Sequence, residues 1–195
     1  MFTGKYRHMR SLIFIFFVWC ANVVCAQNTP ENFLPVNSSY DESSPVLSPD
    51  GNTLFFTVAN HPSNAGGKKD PGDIWISRRT AAGWSAPVHG GSLLNNKGYN
   101  AVAGISQDGR QLFLHGHYTS TGAVAKTQGI SVSRNDGGGW SRPENISIPY
   151  FMNKSGIPGG MVTADKSVFI FSAVSYGTRG VEDIYVSLKV DGKWT

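Results

Sequence analysis

The chain has 195 residues, a formal net charge of +4, 23 glycines and 10 prolines. This composition, without long runs rich in Ala, Leu, Glu or Lys, favours short strands joined by turns and argues against a helical bundle or a coiled coil. Three of the cations lie within the first ten residues and the rest of the chain is close to neutral, which argues against a nucleic-acid partner.

The first 26 residues have the pattern of a secretory signal peptide. Lys5, Arg7 and Arg10 form a basic start, Leu12–Val24 is an apolar stretch of 13 residues, and cleavage is predicted before Gln27. A transmembrane anchor is the alternative, but it needs about 20 apolar residues and this stretch is shorter.

Both cysteines, Cys20 and Cys25, lie in this leader. A lipoprotein anchored through Cys25 is a further alternative, but the residues before that cysteine, Asn22 to Val24, lack the small side chain expected there. Cleavage leaves 14 Lys and Arg against 13 Asp and Glu, and no cysteine. We therefore predict that the mature chain has no disulfide, thiol nucleophile or cysteine-ligated metal.

The rest of the chain contains three repeats of the same landmarks in the same order. These are a turn aspartate, an apolar run, the start of a third strand, and a tryptophan. The turns are Asp50-Gly51, Asp108-Gly109 and Asp165-Lys166; the third strands start at Asp73, Gly129 and Asp183; the tryptophans are Trp84, Trp140 and Trp194. The tryptophans are 56 and 54 residues apart, a period typical of propeller blades.

Each repeat is predicted to form four antiparallel strands. Asp-Gly between two apolar runs is typical of a tight primed hairpin turn, so the turn at Lys166 should be looser than the other two. The second strands, such as Leu112-Phe-Leu114, are apolar on both faces, as a sheet packed between two others requires. Pro87 and Pro143 place the fourth strand at the outer edge, because proline cannot donate to a ladder.

We therefore predict an all-β fold, a partial β-propeller with three four-stranded antiparallel blades of a six-bladed ring. The signal peptide (1–26) is followed by a linker or first outer strand (27–39) and by repeats at about 40–98, 99–152 and 153–195, the last one incomplete. Three blades cannot close a ring, so we expect a missing C-terminal part; pairing with a second copy is the alternative. Alone, the open apolar faces should cause aggregation.

Several segments carry a resemblance to known families. The runs Ser48–Phe56, Asp73–Ser77 and Gly83–Pro87 resemble the WD40-like β-propeller repeat of TolB-type proteins. The stretches Gly66–Trp75, Asn95–Gly104 and Gly177–Tyr185 resemble the propeller part of exported OmpA-family proteins of Gram-negative bacteria. The resemblance covers residues 40–195 and implies a periplasmic or outer-membrane location, with a peptidoglycan-binding domain after the propeller.

Metal binding is a weak candidate chemistry. His115 and His117 share one face of a predicted strand, and His61 or Asp70 would supply a further ligand. The alternative is that they are polar residues at a loop entry, because the other repeats have no histidine there. The recurring aspartates are interpreted as turn residues, since a catalytic group is needed only once. Residues 133–140 partly match the Asp-box of sialidases, a structural turn, with Asn135 in the aspartate position.

The sequence contains no nucleophile elbow, zincin or Walker-type motif, and we predict no cofactor. Variation is greatest in the loops at 58–72, 116–128 and 173–182, where binding surfaces are built on rigid scaffolds. The candidate binding residues there are Lys68, Lys69, Tyr118, Tyr176 and Arg179. We predict a non-catalytic envelope module with a protein, peptidoglycan or other glycan partner; the alternative is the propeller of a glycan-active enzyme or of a peptidase.

Overall fold

The computed structural model describes residues 33–195, so the leader and its cleavage site lie outside the described residues. The first sheet contains β1 (Asp41–Leu47), β2 (Thr53–Ala59), β3 (Asp73–Thr80), β4 (Gly83–Trp84) and β5 (Val88–His89). The second contains β6 (Val102–Ile105), β7 (Gln111–His115), β8 (Ile130–Arg134) and β9 (Glu144–Ile146). The third contains β10 (Gly159–Val162), β11 (Val168–Ala173), β12 (Asp183–Val190) and β13 (Lys193–Trp194). Within this range a 3-10 turn forms at Gly67–Lys69, and no helix is long and apolar enough to span a bilayer.

Each sheet is an antiparallel meander in which successive strands are neighbours. β4 and β5 both pair with β3 and are two parts of one outer strand, so the first sheet also has four strand positions. The second sheet has a similar break between the Asn135–Trp140 bridge and β9. Pro87 and Pro143 lie in these breaks rather than inside a ladder, because proline has no N–H to donate.

The three sheets stack through their first strands, since β6 lies against both β1 and β10. The backbone N–H of Gln107 in the turn after β6 donates to the carbonyl oxygen of Ala164 in the third sheet at 2.9 Å. Four-stranded meanders stacked in this way are blades of a β-propeller, and we call them the first, second and third blades. The predicted all-β fold with three four-stranded blades is confirmed, and the six-bladed ring stays a prediction.

Two hydrophobic clusters fill the spaces between neighbouring blades. On β7, Leu112 and Leu114 pack towards the first blade, whereas Phe113 packs towards the third. Successive side chains of a strand point to opposite faces of its sheet, so a blade in the middle of a stack needs apolar residues at every position. This is the physical reason for the uninterrupted apolar runs in the sequence.

The repeated tryptophans occupy equivalent places, each against the structure that precedes its own blade. Trp84 packs on Phe33 with 5.5 Å between ring centroids, and Trp140 packs on Phe55 of the first blade at 5.9 Å. Trp194 is buried among residues of the second and third blades. The repeated position therefore seals the outer part of each junction.

Residues 33–40 cover the free side of the first blade, where Val36 is buried against Leu54, Phe56 and Val58. The described part of the predicted linker or first outer strand forms a turn at 34–36 and no strand. Its Pro35 cannot donate to a ladder. The free side of the third blade is exposed within the described part of the chain: Ile184 is 71% exposed.

The turns between the first and second strands of the three blades share one geometry. Gly51, Gly109 and Lys166 have φ angles of 71°, 69° and 65°. Each donates its N–H to the carbonyl three residues earlier at 2.8 Å, and no aspartate in these turns has a positive φ. The turn is therefore a type I turn followed by a left-handed residue, not the predicted primed turn.

The prediction of a looser third turn is also wrong. The Asp165 carboxylate accepts hydrogen bonds from the N–H and hydroxyl of Ser167, at 3.1 and 2.7 Å, and these fix the turn although Lys166 has a Cβ. Hydrogen bonds from the hydroxyls of Thr163 and Ser167 hold the pKa of Asp165 below its usual value. The aspartate side chain thus organises this turn. The glycine at the same position of the other two turns only relieves the backbone strain of the left-handed conformation.

Lys166→Gly is expected to stabilise the protein by about 0.5 kcal/mol. A left-handed conformation costs a residue with a Cβ roughly 1–2 kcal/mol, which outweighs the roughly 0.5–1 kcal/mol of extra unfolded-chain entropy that glycine brings. Gly109→Ala is the reverse control, because an added Cβ there meets no atom within 4 Å and the change tests the backbone conformation alone. Urea unfolding measures both; a less stable Lys166→Gly variant would contradict this account.

A buried serine lies at the same position of each third strand. The hydroxyl groups of Ser77 and Ser133 donate to the carbonyl oxygens of Ser85 and Ser141 at 2.7 and 2.6 Å. In the third blade, the equivalent Ser187 Oγ is buried, and it has no hydrogen-bond partner within residues 33–195. The three positions therefore differ in one hydrogen bond.

Ser77→Ala and Ser133→Ala are each expected to destabilise the protein by about 1 kcal/mol, the net contribution of a buried hydrogen bond. Ser187→Ala should leave the free energy of unfolding unchanged or raise it, because the substitution removes a buried hydroxyl without a partner. Urea unfolding of the three variants tests this; equal losses at all three positions would refute it.

Candidate functional site

The long connections lie together at one end of the blades, which we call the long-loop face. They comprise residues 60–72, 90–101, 116–129, 147–158 and 174–182. They lie opposite the aspartate-containing turns, because antiparallel strands reverse the chain direction at alternate ends of a sheet. Between the second and third blades this face contains a cleft of about 220 Å³. We call it the interblade cleft.

The interblade cleft combines aromatic and uncharged polar walls. Its aromatic side chains include Phe151, Phe169 and Phe171, and Phe151 lies 5.0 Å from Phe171 between ring centroids. Its amides are Asn96, Asn100, Gln128 and Asn153. Among residues 33–195, no Asp, Glu, Lys or Arg lines the cleft. An apolar surface with a few fixed polar groups is the usual composition of a small-ligand site, and the lining suits an uncharged ligand.

His115 ends β7 and lies at the floor of the interblade cleft, 4% exposed. Its Nε2 donates to the carbonyl oxygen of Gly160 at 3.1 Å, a bond that joins the second and third blades. Because a carbonyl only accepts, the neutral ring carries its proton on Nε2 and presents Nδ1 as an acceptor. Burial lowers the pKa of His115 to about 4, so the imidazole is neutral at pH 7.

His117 follows two residues later, and both of its ring nitrogens are engaged. Nε2 donates to the carbonyl oxygen of Ile146 at 3.2 Å, and Nδ1 accepts from the Thr127 hydroxyl at 2.9 Å. The ring packs over Gly129, where an added Cβ would lie 2.5 Å from Nε2. The glycine that replaces the aspartate of the other repeats therefore makes room for this histidine.

Gly129→Ala is expected to destabilise the protein by about 1–2 kcal/mol, because it displaces the His117 ring and places a Cβ at a φ of 146°. Gly138→Ala is the control, since an added Cβ at that exposed glycine meets no atom within 4 Å. Thermal unfolding of both variants measures the difference. A Gly129→Ala variant as stable as the Gly138→Ala control would contradict the packing described here.

The metal-site hypothesis is not supported by these positions. The Nε2 atoms of His115 and His117 both face backbone carbonyls. His61 packs between Tyr40 and Trp75 in the first blade, and Asp70 accepts the N–H groups of Gly66 and Gly72, at 2.6 and 2.9 Å. Within residues 33–195, no three His, Cys, Asp or Glu side chains are grouped for a metal ion.

A buried polar network supports the wall of the cleft nearest the first blade. Tyr118 donates its hydroxyl to the carbonyl of Leu94 at 2.7 Å, and Asn100 donates its amide to the Asp73 carboxylate at 3.0 Å. Asp73 also accepts the Ala65 N–H at 2.6 Å and lies 2.7 Å from Nε2 of His89. The network ties connection 90–101 to the start of β3.

Tyr118 is therefore a buried anchor and not an exposed binding residue, because its hydroxyl needs a partner inside the protein. Burial raises its pKa far above the usual range of tyrosine. The asparagines of the cleft were not identified as site residues from the sequence. The sequence feature that could have identified them is the polar, asparagine-containing run at 95–100, which carries no strand pattern.

The other loop candidates do not line the cleft. Lys68 and Lys69 are exposed on the 3-10 turn of the first blade, and Arg179 is exposed in the loop before β12. Tyr176 is 77% exposed, with Nζ of Lys154 5.6 Å from its ring centroid.

The rim of the cleft carries one carboxylate with a lowered pKa. Hydrogen bonds from the hydroxyls of Ser155 and then Ser172 lower the pKa of Glu182, and both serines line the cleft. Asn135, from the partial Asp-box, lies in a hairpin turn at the opposite face, where its Oδ1 accepts the Gly137 N–H at 2.8 Å.

No family model matches the chain, and no curated protein matches it. The chain is distantly similar to solved structures with β-propeller regions. TolB from Acinetobacter baumannii is 15% identical over 75% of this chain and 29% of that one, with a TM-score of 0.43. A putative TolB from Agrobacterium tumefaciens is 18% identical over 80% and 48%, with a TM-score of 0.41. Puromycin hydrolase is 17% identical over 82% and 29%, with a TM-score of 0.36.

The chain thus spans 29% to 48% of the length of these structures. The likeness concerns the fold.

Proposed function

We propose that this chain is a non-catalytic binding module of the cell envelope and that the interblade cleft holds a neutral glycan. The uncharged lining of the cleft carries the proposal. Sugars present apolar C–H faces that pack on aromatic rings, and hydroxyl groups that both donate and accept hydrogen bonds. Phe151 and Tyr99 line the cleft and are partly exposed, which suits the first requirement.

Polar groups in the cleft suit the second requirement. Gln128 accepts the Asn153 N–H through Oε1 at 2.9 Å, which leaves its amide NH₂ as a donor. His115 also lines the cleft, and Nδ1 is the acceptor of its neutral ring. A donor and an acceptor held by bonds to the backbone pre-organise the site, so less entropy is lost when a hydroxyl-bearing ligand is bound.

Binding is favoured over glycoside hydrolysis by the same lining. Hydrolysis of a glycosidic bond takes two carboxyl groups that flank it, whereas among residues 33–195 no carboxylate lines the cleft: Glu182 lies at the rim and Asp73 is buried behind the wall. The envelope location is proposed from the leader, and the placement next to a wall-binding OmpA-like domain is proposed from the sequence resemblance alone.

Calorimetric titration with tetra-N-acetylchitotetraose, a neutral amide-bearing oligosaccharide, tests the proposal. Gln128→Glu keeps the carbonyl-type acceptor but removes the donor and adds charge, and is expected to weaken binding at least about tenfold. Gln107→Glu, on the opposite face, is the matched control and should bind as the parent chain does. Tighter binding of an uncharged acetylated peptide, or turnover of the oligosaccharide that is lost in Gln128→Glu, would overturn the proposal.

A further inference from the structure

A second cavity lies on the free side of the first blade, away from the interblade cleft. It has a volume of about 190 Å³, is open to solvent on one side, and is lined by the segment around Val36 and by side chains of β2 and β3. Its walls include the rings of Phe56, His61 and Trp75, and its charged group is the Glu42 carboxylate. We call it the Trp75 pocket.

The aromatic walls of the Trp75 pocket are held rigidly. His61 lies edge-on between Trp75 and Tyr40, with centroid distances of 4.4 and 4.7 Å. The indole Nε1 of Trp75 donates to the Asn64 side chain at 3.0 Å, and Nδ1 of His61 accepts the Ser63 N–H at 3.0 Å. The rings are therefore fixed before any ligand arrives, which is what a recognition cage requires.

Glu42 has one oxygen fixed and one available. Its Oε1 accepts the N–H of Ser38 at 3.1 Å and also the Ser38 hydroxyl, which orients the carboxylate at the pocket. No hydrogen bond to Oε2 is present within residues 33–195, and no Lys or Arg of that range forms a salt bridge with Glu42. A partly buried carboxylate beside aromatic rings, without its own cation, makes the pocket negative.

We propose that the Trp75 pocket binds an alkylated ammonium group. The faces of aromatic rings attract cations through their quadrupole, and quaternary ammonium ligands are recognised in this way. An apolar cavity of about 150 Å³ holds benzene, so this pocket has room for a tetramethylammonium-sized group. Glu42 supplies the counter-charge that distinguishes the ammonium from a neutral group of the same shape. The ammonium belongs to a choline-type headgroup or to a lysine side chain, which share this chemistry.

Titration of the purified chain with tetramethylammonium chloride, followed by calorimetry and by the indole N–H resonance of Trp75, tests the proposal. We expect saturable binding that shifts this resonance, and no comparable shift with tert-butanol, its neutral counterpart in shape. Glu42→Gln should weaken binding at least about tenfold, because the charge is lost while the hydrogen bond from Ser38 is retained. Asp136→Asn, an exposed carboxylate in the second blade, is the control for general charge and should change nothing.

Phosphocholine and Nα-acetyl-lysine amide are the two further probes. Tighter binding of either one than of tetramethylammonium supports the proposal and identifies the source of the ammonium group. Equal shifts with tert-butanol and tetramethylammonium, or equal affinity in the parent chain and Glu42→Gln, would overturn it. The interblade cleft is a separate site, so this result leaves the proposed glycan binding untouched.

Discussion

Replacing Gly104 by alanine is expected to destabilise the protein by about 2–4 kcal/mol. Gly104 lies on β6, the first strand of the second blade, which runs between β1 and β10. A Cβ added at this position would collide with the backbone carbonyl oxygen of Val162 on β10. Because that atom belongs to a strand and not to a movable side chain, the two blades must separate or the strand must bend.

The matched control is again Gly138→Ala, which adds the same methyl group in open space. Chemical denaturation of both variants measures the difference in unfolding free energy. The loss for Gly104→Ala should come with weaker near-UV circular dichroism from the aromatic cluster of Phe113, Phe169 and Phe171 at the same junction. A Gly104→Ala variant within about 0.5 kcal/mol of the control would show that the blades are not packed as closely as described.

Acidification should destabilise the protein through His115, by about 2.5 kcal/mol between pH 7.5 and pH 4.5. Burial lowers the pKa of this imidazole from 6.5 to about 4. The folded state therefore binds the proton less tightly than the unfolded chain does. The contribution of neutral His115 is complete above about pH 6.5 and is lost progressively as the pH falls towards 4, and below 4 the loss no longer grows.

His115→Gln separates this effect from the titration of carboxylates. Glutamine keeps an N–H donor for the Gly160 carbonyl but does not titrate in this range. Hydroxyl hydrogen bonds lower the pKa values of the turn aspartates, so their contribution to the free energy of unfolding is lost at a lower pH. This loss is the same in both proteins and cancels in the comparison. Urea midpoints should diverge as the pH falls from 6.5 to 4.5; parallel profiles would contradict a buried neutral His115.

The two proposed sites differ in how they arise. The interblade cleft is formed where two blades meet, so its walls come from connections 90–101, 116–129 and 147–158. The Trp75 pocket forms where residues 33–40 cover one blade. We propose an uncharged ligand for the first and a cation for the second, because the described lining of the first has no Asp, Glu, Lys or Arg and the second has Glu42. Ligands of the two sites should therefore not compete.

The turns and the histidine pair were predicted from the sequence only in part. The recurring aspartates Asp50, Asp108 and Asp165 located all three turns, but the Asp-Gly pairs at the first two pointed to the wrong turn type. The exception at Lys166 is structurally no exception, because Asp165 makes the hydrogen bonds that define the turn. His115 and His117 were predicted to share one face of a strand, but β7 ends at His115 and His117 lies in the connection after it. The Nε2 atoms of the two rings face the carbonyl oxygens of Gly160 and Ile146, which are distant in the chain.

The amino-acid sequence by itself determined the repeated four-stranded unit. Strand period, turn aspartates and the spacing of Trp84, Trp140 and Trp194 are local properties, and a strand such as Leu112–Leu114 is apolar throughout because both of its faces are covered. Only the tertiary structure decided which polar groups meet. Asn96, His115 and Phe151 line one cleft because the second and third blades stack, and the distance between groups on different blades depends on that stacking and not on any local pattern.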